Sequence, residues 1–506
     1  MYGDSPVSFL GVLTGILSLG LLLVVARRNK NKRKLPPVPV MTWPLVGNLP
    51  SVPLNPRKNL KQWHKEHGDL FSLYFGRTLV VVVCGYNRLK EILVEKGTAY
   101  LDRPVMYANE VIGMGHTGLA FSSGPLWHET RSASVSILRE LGLGRNVLSE
   151  KIHEDIEFLL QRLAEFQGEA TNMWHYVHLS TANIICSMVI GKRFNYEDDR
   201  FKDVVERIGE LSAYANDMAA LNYLSALTYL PGDFLKTGRL RRAVEGLKDF
   251  AEFCCNNGGR DGVEDTSNEN KNFISLFRRK QEEKRVNGID GLLDDQNLCK
   301  TVMDLLGSGT ETTSATIAWC VLYLLHHPRV QVKVHEEIDM ELGHDRLPCM
   351  GDKLRLPYLQ AVIKETQRLA SVSPFSMMRA TSEDVDLGGY LIPKGTTVLP
   401  NLDSVMHDPE IWGPDADHFR PERFLNNDTT VMNREEFIPF SMGRRMCPGI
   451  GMAQIQVFLF LASMLQRFKF VPPKGEELPT LKEKLGFIAV PTPYKVCCVD
   501  RLTRHD

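Results

Sequence analysis

The chain has 506 residues, is 43% hydrophobic and 24% charged, and carries a formal net charge of −1. That is ordinary globular composition, and the near-zero balance excludes a dedicated nucleic-acid binder, which shows a strongly basic surface. Its ten cysteines show no CxxC pair and no Cys/His zinc spacing, so neither a disulfide framework nor a zinc module is indicated.

Residues 7–26, "VSFLGVLTGILSLGLLLVVA", carry no charge. Twenty residues of helix span about 30 Å, the thickness of a bilayer core. A cleaved signal peptide would want a basic start, but the only charge ahead of this span is Asp4; the basic block Arg27 to Lys34 follows it. The positive-inside rule then leaves everything after residue 26 in the cytosol. Prolines 36, 37, 39 and 44 favour extended backbone and read as a stiff spacer. The expected organisation is a transmembrane anchor at 1–26, a basic and proline-rich linker at 27–50, and one globular domain at 51–506.

Next come two strand-like runs, 70–76 and 78–85, that flank Arg77 and predict a hairpin. From about 126 onward helical periodicity dominates, at 149–167, 176–190, 201–219, 236–254 and 294–326. The polar stretch 256–272 predicts a surface loop, and strand patterns return near 386–400 and 486–499. The fold class expected is mainly α with a smaller β-rich part.

Four short stretches stand out. In "WHETR", Trp127 and Arg131 are one helical turn apart; such residues usually just pack and solvate. "GSGTETT" (307–313) puts poor helix formers in the middle of a long helix, as a close helix crossing or a functional opening would require. In "KETQRL", Glu365 and Arg368 share a helix face, and a surface ion pair is the simplest reading. "FSMGRRMCPG" (440–449) places Cys447 just before a helical run, with Pro448 suited to a first helical turn. Free N–H groups and the positive dipole end would favour a thiolate there. Gly443 and Gly449 would let backbone approach something flat, and Arg445 offers a cation to an anionic group.

The spacing F-x-x-G-x-R-x-C-x-G, matched from Phe440 to Gly449, resembles the cytochrome P450 heme-thiolate monooxygenases, and the resemblance covers about residues 36–500. It implies a cytochrome P450 fold behind the N-terminal transmembrane helix. It further implies heme b held by Cys447 as the iron ligand, with Arg445, Trp127, Arg131, Arg103 and Arg379 on the propionates. Arg379 stands where many animal members have histidine. Glu365 and Arg368 would lock onto Arg423 of "PERF" (421–424) as a structural network. Gly309 would make room over the heme, with Glu311 and Thr312 as the catalytic proton-handling pair; Ser308 replaces the family's alanine or glycine.

The substrate would be a lipophilic small molecule, a steroid, fatty acid or xenobiotic, in a pocket including Met106, Phe121, Phe375, Met377 and Phe487. Electrons would come from NADPH through the FMN/FAD-containing reductase, with cytochrome b5 as a further candidate partner. The expected location is the endoplasmic reticulum membrane, single-pass, with the catalytic domain cytosolic. Two competing readings are a heme-thiolate isomerase or dehydratase and a non-catalytic heme-binding sensor; the acid–threonine pair at 311–312 counts against the first.

Deleting residues 1–26 is expected to release much of the protein from membranes without loss of heme. A second, monotopic contact at 220–235, which carries Leu221, Tyr223, Leu224, Leu227, Tyr229, Leu230 and Phe234, would keep a fraction bound. Flotation of the truncated protein with and without Leu227→Asp and Tyr229→Asp checks both expectations. Heme loss on truncation would contradict the first, and full solubility of the truncated protein the second.

Overall fold

A computed structural model describes residues 35–141, 147–217, 219–229, 231–257, 271–288, 291–426 and 430–502. The uncharged span 7–26 and the basic block after it lie outside the described residues. Among the described residues no helix is long and apolar enough to cross a membrane.

The principal elements are α1 (Arg57–His67), β1 (Leu70–Phe75), β2 (Thr78–Val83), α2 (Gly124–Glu140), α3 (Val147–Ala164), α4 (Met173–Ile190), α5 (Asp199–Tyr214), α6 (Thr237–Asn257) and α7 (Asp295–His326). They continue with α8 (Pro357–Ala370), β3 (Arg379–Ala380), β4 (Thr397–Pro400) and α9 (Ile450–Arg467). Each helical run expected from periodicity is a helix, and its ends fall within a few residues of the pattern.

Helix α7 is the axis of the domain. Its 32 residues span about 48 Å. The Asp294 side chain caps it by accepting the Asn297 N–H at 2.7 Å, and Pro328 starts the next helix immediately after His327. From Thr313 to Leu325 every residue is buried. Helix α4 packs along it and is buried almost all round, as an apolar helix in a large core must be. Its interior Asn183 is fully paired, through Nδ2 to the Phe194 carbonyl (2.9 Å) and Oδ1 from the Phe194 N–H (2.8 Å).

The β-rich part is small. Strands β1 and β2 form the expected hairpin, pairing Phe75 with Thr78 across a two-residue turn at Gly76 and Arg77. β2 then pairs in parallel with β4, and β4 antiparallel with β3, giving the order β1-β2-β4-β3. The Arg379↔Val398 register fixes Arg379 at the sheet edge. A three-stranded sheet of Phe468–Val471, Val496–Asp500 and Ala170–Thr171 closes the far side.

The segment after α5 divides into packed and exposed residues. Leu221 is buried, and the Tyr223 ring meets Phe75 edge-on at 4.9 Å. Leu224 and Leu227 are half-buried, whereas Tyr229 and Phe234 are 87% and 77% exposed. Leu230 lies outside the described residues.

Glu365 and Arg368 are not a surface pair: both side chains are fully buried. Glu365 Oε2 accepts Arg368 Nε at 2.7 Å, and Oε1 accepts Arg368 Nη2, Arg423 Nε and the Arg420 N–H, each at 2.9 Å. The remaining guanidinium donors reach carbonyls, Arg368 to Met406 (2.7 Å) and Arg423 to Trp412 (2.6 Å) and Asp415 (3.0 Å). One carboxylate thus ties α8 to the segment that leads to Cys447. Glu365→Gln removes the one charge shared by two buried guanidinium groups, leaving Arg423 only the longer ionic contact to Asp415 Oδ1 at 3.4 Å. It is expected to cost about 3–5 kcal/mol, read as a fall in thermal midpoint and in folded yield.

Candidate active site

Cys447 sits in a tight loop ahead of α9. Its N–H donates to the Phe440 carbonyl at 3.0 Å, and the Met446 N–H to the Gly443 carbonyl at 3.1 Å. Gly443 has φ +76, and a Cβ there would meet the Leu93 carbonyl oxygen at 1.8 Å. The glycine is therefore required by the neighbouring backbone, and Gly443 is not among the residues that line the cavity. Gly449, by contrast, lines the cavity beside Cys447 and is the N-cap of α9. Pro448 precedes that cap, so it lies just outside the first helical turn predicted for it. Burial pushes the Cys447 thiol up from its ordinary pKa, against the opposing pull of the Gly449 N–H and the Arg131 charge.

The thiol opens onto a cavity of about 290 Å³. Helix α7 supplies one wall through Asp304, Leu305, Ser308, Gly309 and Thr312. Leu119, Met377, Phe487 and Ile488 supply apolar surface, and Phe440 and Met452 lie near the thiol loop. Of the expected pocket residues, Met377 and Phe487 are on the wall. Met106, Phe121 and Phe375 are not. Met106 caps the short helix Tyr107–Val111, Phe121 turns its ring to the Lys300 ammonium (5.3 Å), and Phe375 packs against the cluster around β1 and β2.

Four arginines converge on the same cavity: Arg103, Arg131, Arg379 and Arg445 all line it. Among the described residues none forms a salt bridge. Burial, then mutual repulsion, pushes Arg379 down to about 10 and Arg445 down to about 9, with Asp102 pulling weakly the other way on Arg445. Arg103 and Arg131 are lowered as well, first by burial.

Their hydrogen bonding separates them. Arg103 is spent on backbone, donating to the carbonyls of Ala120 (3.0 Å), Met377 (2.8 Å) and Met378 (2.7 Å). Arg131 donates to the Met446 carbonyl at 2.7 Å. Arg445 donates one bond, to the Ser122 carbonyl at 2.7 Å, and stacks on the Trp127 ring at 4.0 Å. Its Nε and Nη1, and Nη1 of Arg379, are buried without a partner. Three orphaned donors on two cations, lining the same cavity as a half-buried thiol, fit a flat anionic group whose centre meets sulfur.

The acid–alcohol pair is divided. Thr312 is on the cavity wall, with its hydroxyl donating to the Ser308 carbonyl at 2.7 Å. Glu311 is not: its Oε1 lies 2.6 Å from His178 Nε2 of α4, both side chains 8% exposed. Gly309 lines the cavity, but the Cβ it lacks would fall 2.7 Å from Ile185 Cδ1. The missing side chain therefore makes room for α4, the helix-crossing alternative, rather than for the cavity.

Sequence reasoning missed Asp304 and His178. Asp304 pairs with Lys300 and accepts the Ala120 N–H at 2.9 Å. His178 carried one signal, an ionisable residue, like its neighbour His175, in a largely apolar helix.

A family model described as Cytochrome P450 matches residues 36–498. Among curated relatives, cytochrome P450 2C3 of Oryctolagus cuniculus is 34% identical over 501 residues, covering 96% of this chain and 99% of that protein. Cytochrome P450 2H1 of Gallus gallus is 35% identical over 503 residues, covering 97% and 100%. Cytochrome P450 2U1 of Homo sapiens is 33% identical over 498 residues, covering 93% and 90%.

The orphaned donors make a discriminating prediction. Arg379→Ala and Arg445→Ala should each weaken heme binding by about 10- to 100-fold, the worth of a charge-assisted hydrogen bond. Arg103→Ala, whose bonds go to backbone, should lower the thermal midpoint more than heme affinity. Heme transfer to an acceptor protein, beside thermal melts, separates the two effects.

Proposed function

This chain belongs to the cytochrome P450 family, and on that premise we propose that it inserts one oxygen atom from O2 into a lipophilic small molecule, with electrons from NADPH delivered by a flavoprotein reductase. The observation that carries this reading is one cavity that joins a half-buried thiol, two cations with orphaned donors and an apolar wall. When bound there, a thiolate-ligated heme supplies the oxygen-activating redox chemistry.

The chain's own residues do the rest. Cys447 would be the metal ligand, and Arg379 and Arg445 would hold the propionates, with Trp127 stacked on Arg445 and Arg131 bonded to the Cys447 loop. Leu119, Met377, Phe487 and Ile488 exclude water and orient an apolar substrate over the thiol. The Thr312 hydroxyl gives its hydrogen to the Ser308 carbonyl, so its remaining lone pairs are available to the cavity. That leaves it placed to accept and relay a proton beside the reacting oxygen. A hydroxyl in this position supports oxygen reduction over peroxide rearrangement or mere gas sensing.

Membrane residence in the endoplasmic reticulum, with the catalytic domain cytosolic, is supported by the surface as well as by the N-terminal sequence. Met41, Trp43, Leu45, Tyr229 and Phe234 are exposed. The Leu45 and Tyr223 carbonyl oxygens both lie within 3.5 Å of the Cβ position at Gly76, so the proline-rich entry and the segment after α5 adjoin. Together they make an apolar edge of the kind that rests in a lipid interface.

Reconstitution with reductase, NADPH and 18O2 tests the reaction. One labelled oxygen per product molecule is expected, and product formed without NADPH would overturn the reading in favour of an isomerase. Thr312→Ala is expected to retain heme and substrate binding while most reducing equivalents leave as hydrogen peroxide or water. The ratio of product to NADPH consumed measures it, and an unchanged ratio would remove Thr312 from the proton route.

A further inference from the structure

Phe487 lines the cavity and is 54% exposed, between buried Gly486 and Ile488. It forms the tip of a hairpin in which Glu483–Leu485 pairs with Ala489–Pro491. The inner arm is fixed to the core. The Ala489 N–H donates to the Val372 carbonyl at 2.8 Å, and Trp319 Nε1 of α7 donates to the Ala489 carbonyl at 3.0 Å. The outer arm reaches the surface, where Lys482 and Lys484 are exposed. Three contacts hold it down.

Glu483 makes the first. Its Oε1 accepts Asn55 Nδ2 at 2.7 Å, and its Oε2 pairs with Nη1 of Arg57, the first residue of α1. The same guanidinium is already neutralised by Asp403, through Nη2 at 2.5 Å and Nε at 3.1 Å. Deleting the Glu483 carboxylate therefore strands no charge, and the Arg57–Asp403 anchor remains. Asn216, just past α5, makes the second contact by donating to the Leu485 carbonyl at 3.0 Å. Helix α5 itself makes the third. The Phe487 N–H donates to the Ser212 carbonyl at 2.8 Å, and a Cβ at Gly486 would meet that oxygen at 1.8 Å. The tip thus lies directly against the α5 backbone. Neither Glu483 nor Asn216 lines the cavity.

We propose that Glu483 and Asn216 are positioning residues for substrate entry: through the hairpin they hold the Phe487 ring across the mouth of the cavity, so that a bulky lipophile enters only when the tip lifts. The inference rests on the heme-binding reading of the cavity and deepens it by assigning its entrance. Both residues act through Phe487 and touch neither substrate nor cofactor. Because the inner arm is bonded separately to α7 and Val372, releasing the outer arm frees the tip without unseating the cavity wall at Ile488. A ligand small enough to pass the ring is indifferent to the clasp, whereas a large rigid one is not.

The test is azole binding to the heme-loaded protein, followed by stopped flow at the Soret band, with a thermal melt of each variant. Imidazole is the small probe, and clotrimazole, a triarylmethyl imidazole, is the bulky one. Glu483→Ala, Asn216→Ala and Gly486→Ala should each raise the clotrimazole association rate several-fold and leave the imidazole rate at the parental value. Glu483→Gln, which keeps an acceptor for Arg57, should fall between Glu483→Ala and the parent. Phe487→Ala should bring the same gain, and adding Glu483→Ala to it should bring no more.

Parental clotrimazole rates in Glu483→Ala and Asn216→Ala would overturn the proposal, because a purely structural clasp predicts a lower melting midpoint alone. An equal rise for imidazole would overturn it as well, as general loosening rather than release of the tip, and so would a further gain in the double variant. Failure of the heme-binding reading shows separately: the parent protein would then give no Soret shift with imidazole.

Discussion

Four guanidinium groups share one buried wall, and among the described residues no carboxylate is salt-bridged to any of them. In a medium of low dielectric such an arrangement is costly twice over, through lost hydration and through mutual repulsion. The depressed pKa values of Arg379 and Arg445 express that cost directly. An anion placed among these groups would offset both terms. The rest of the domain can be understood as the scaffold that keeps this cationic wall and the Cys447 thiol facing one cavity.

The contrast with Glu365 is instructive. There the Glu365 carboxylate meets two guanidiniums, and the remaining donors find carbonyls and, on Arg423, the Asp415 carboxylate at 3.4 Å, so the network is closed and its use is structural. Around the cavity the equivalent donors are left open on Arg379 and Arg445. Each cation there comes from a different piece of secondary structure: Arg379 from β3 in register with Val398, Arg131 from α2, and Arg445 from the loop before α9. Long-range packing around α7 brings these pieces together. The closed network helps hold that packing, because Arg423 and Arg368 anchor the segment running into the cysteine loop.

Much of this was legible in the sequence for physical reasons. The long helices announce themselves by apolar periodicity, and the hairpin by two short apolar runs that flank Arg77. The cysteine loop is legible because its fixed residues must satisfy sharp backbone constraints, as Gly443 does against the Leu93 carbonyl. Other features were not legible, since they depend on which side chains meet across the fold. Trp127 stacking on Arg445, Arg103 spending its donors on backbone, and Phe121 turning toward Lys300 are all tertiary facts. Glu311 shows the limit most clearly. It adjoins Thr312 in sequence, yet a step of one residue on a helix turns a side chain by about 100°. That rotation carries the carboxylate from the cavity to His178.

The central claim is that Cys447 and the arginine wall together hold an iron porphyrin through a thiolate bond. The most direct measurement is the ferrous-CO difference spectrum of the reduced protein, recorded for the parent, for Cys447→Ser and for Cys299→Ser. The parent and Cys299→Ser should both show the red-shifted band of thiolate ligation, and Cys447→Ser should lose it. Persistence of that band in Cys447→Ser would contradict the account.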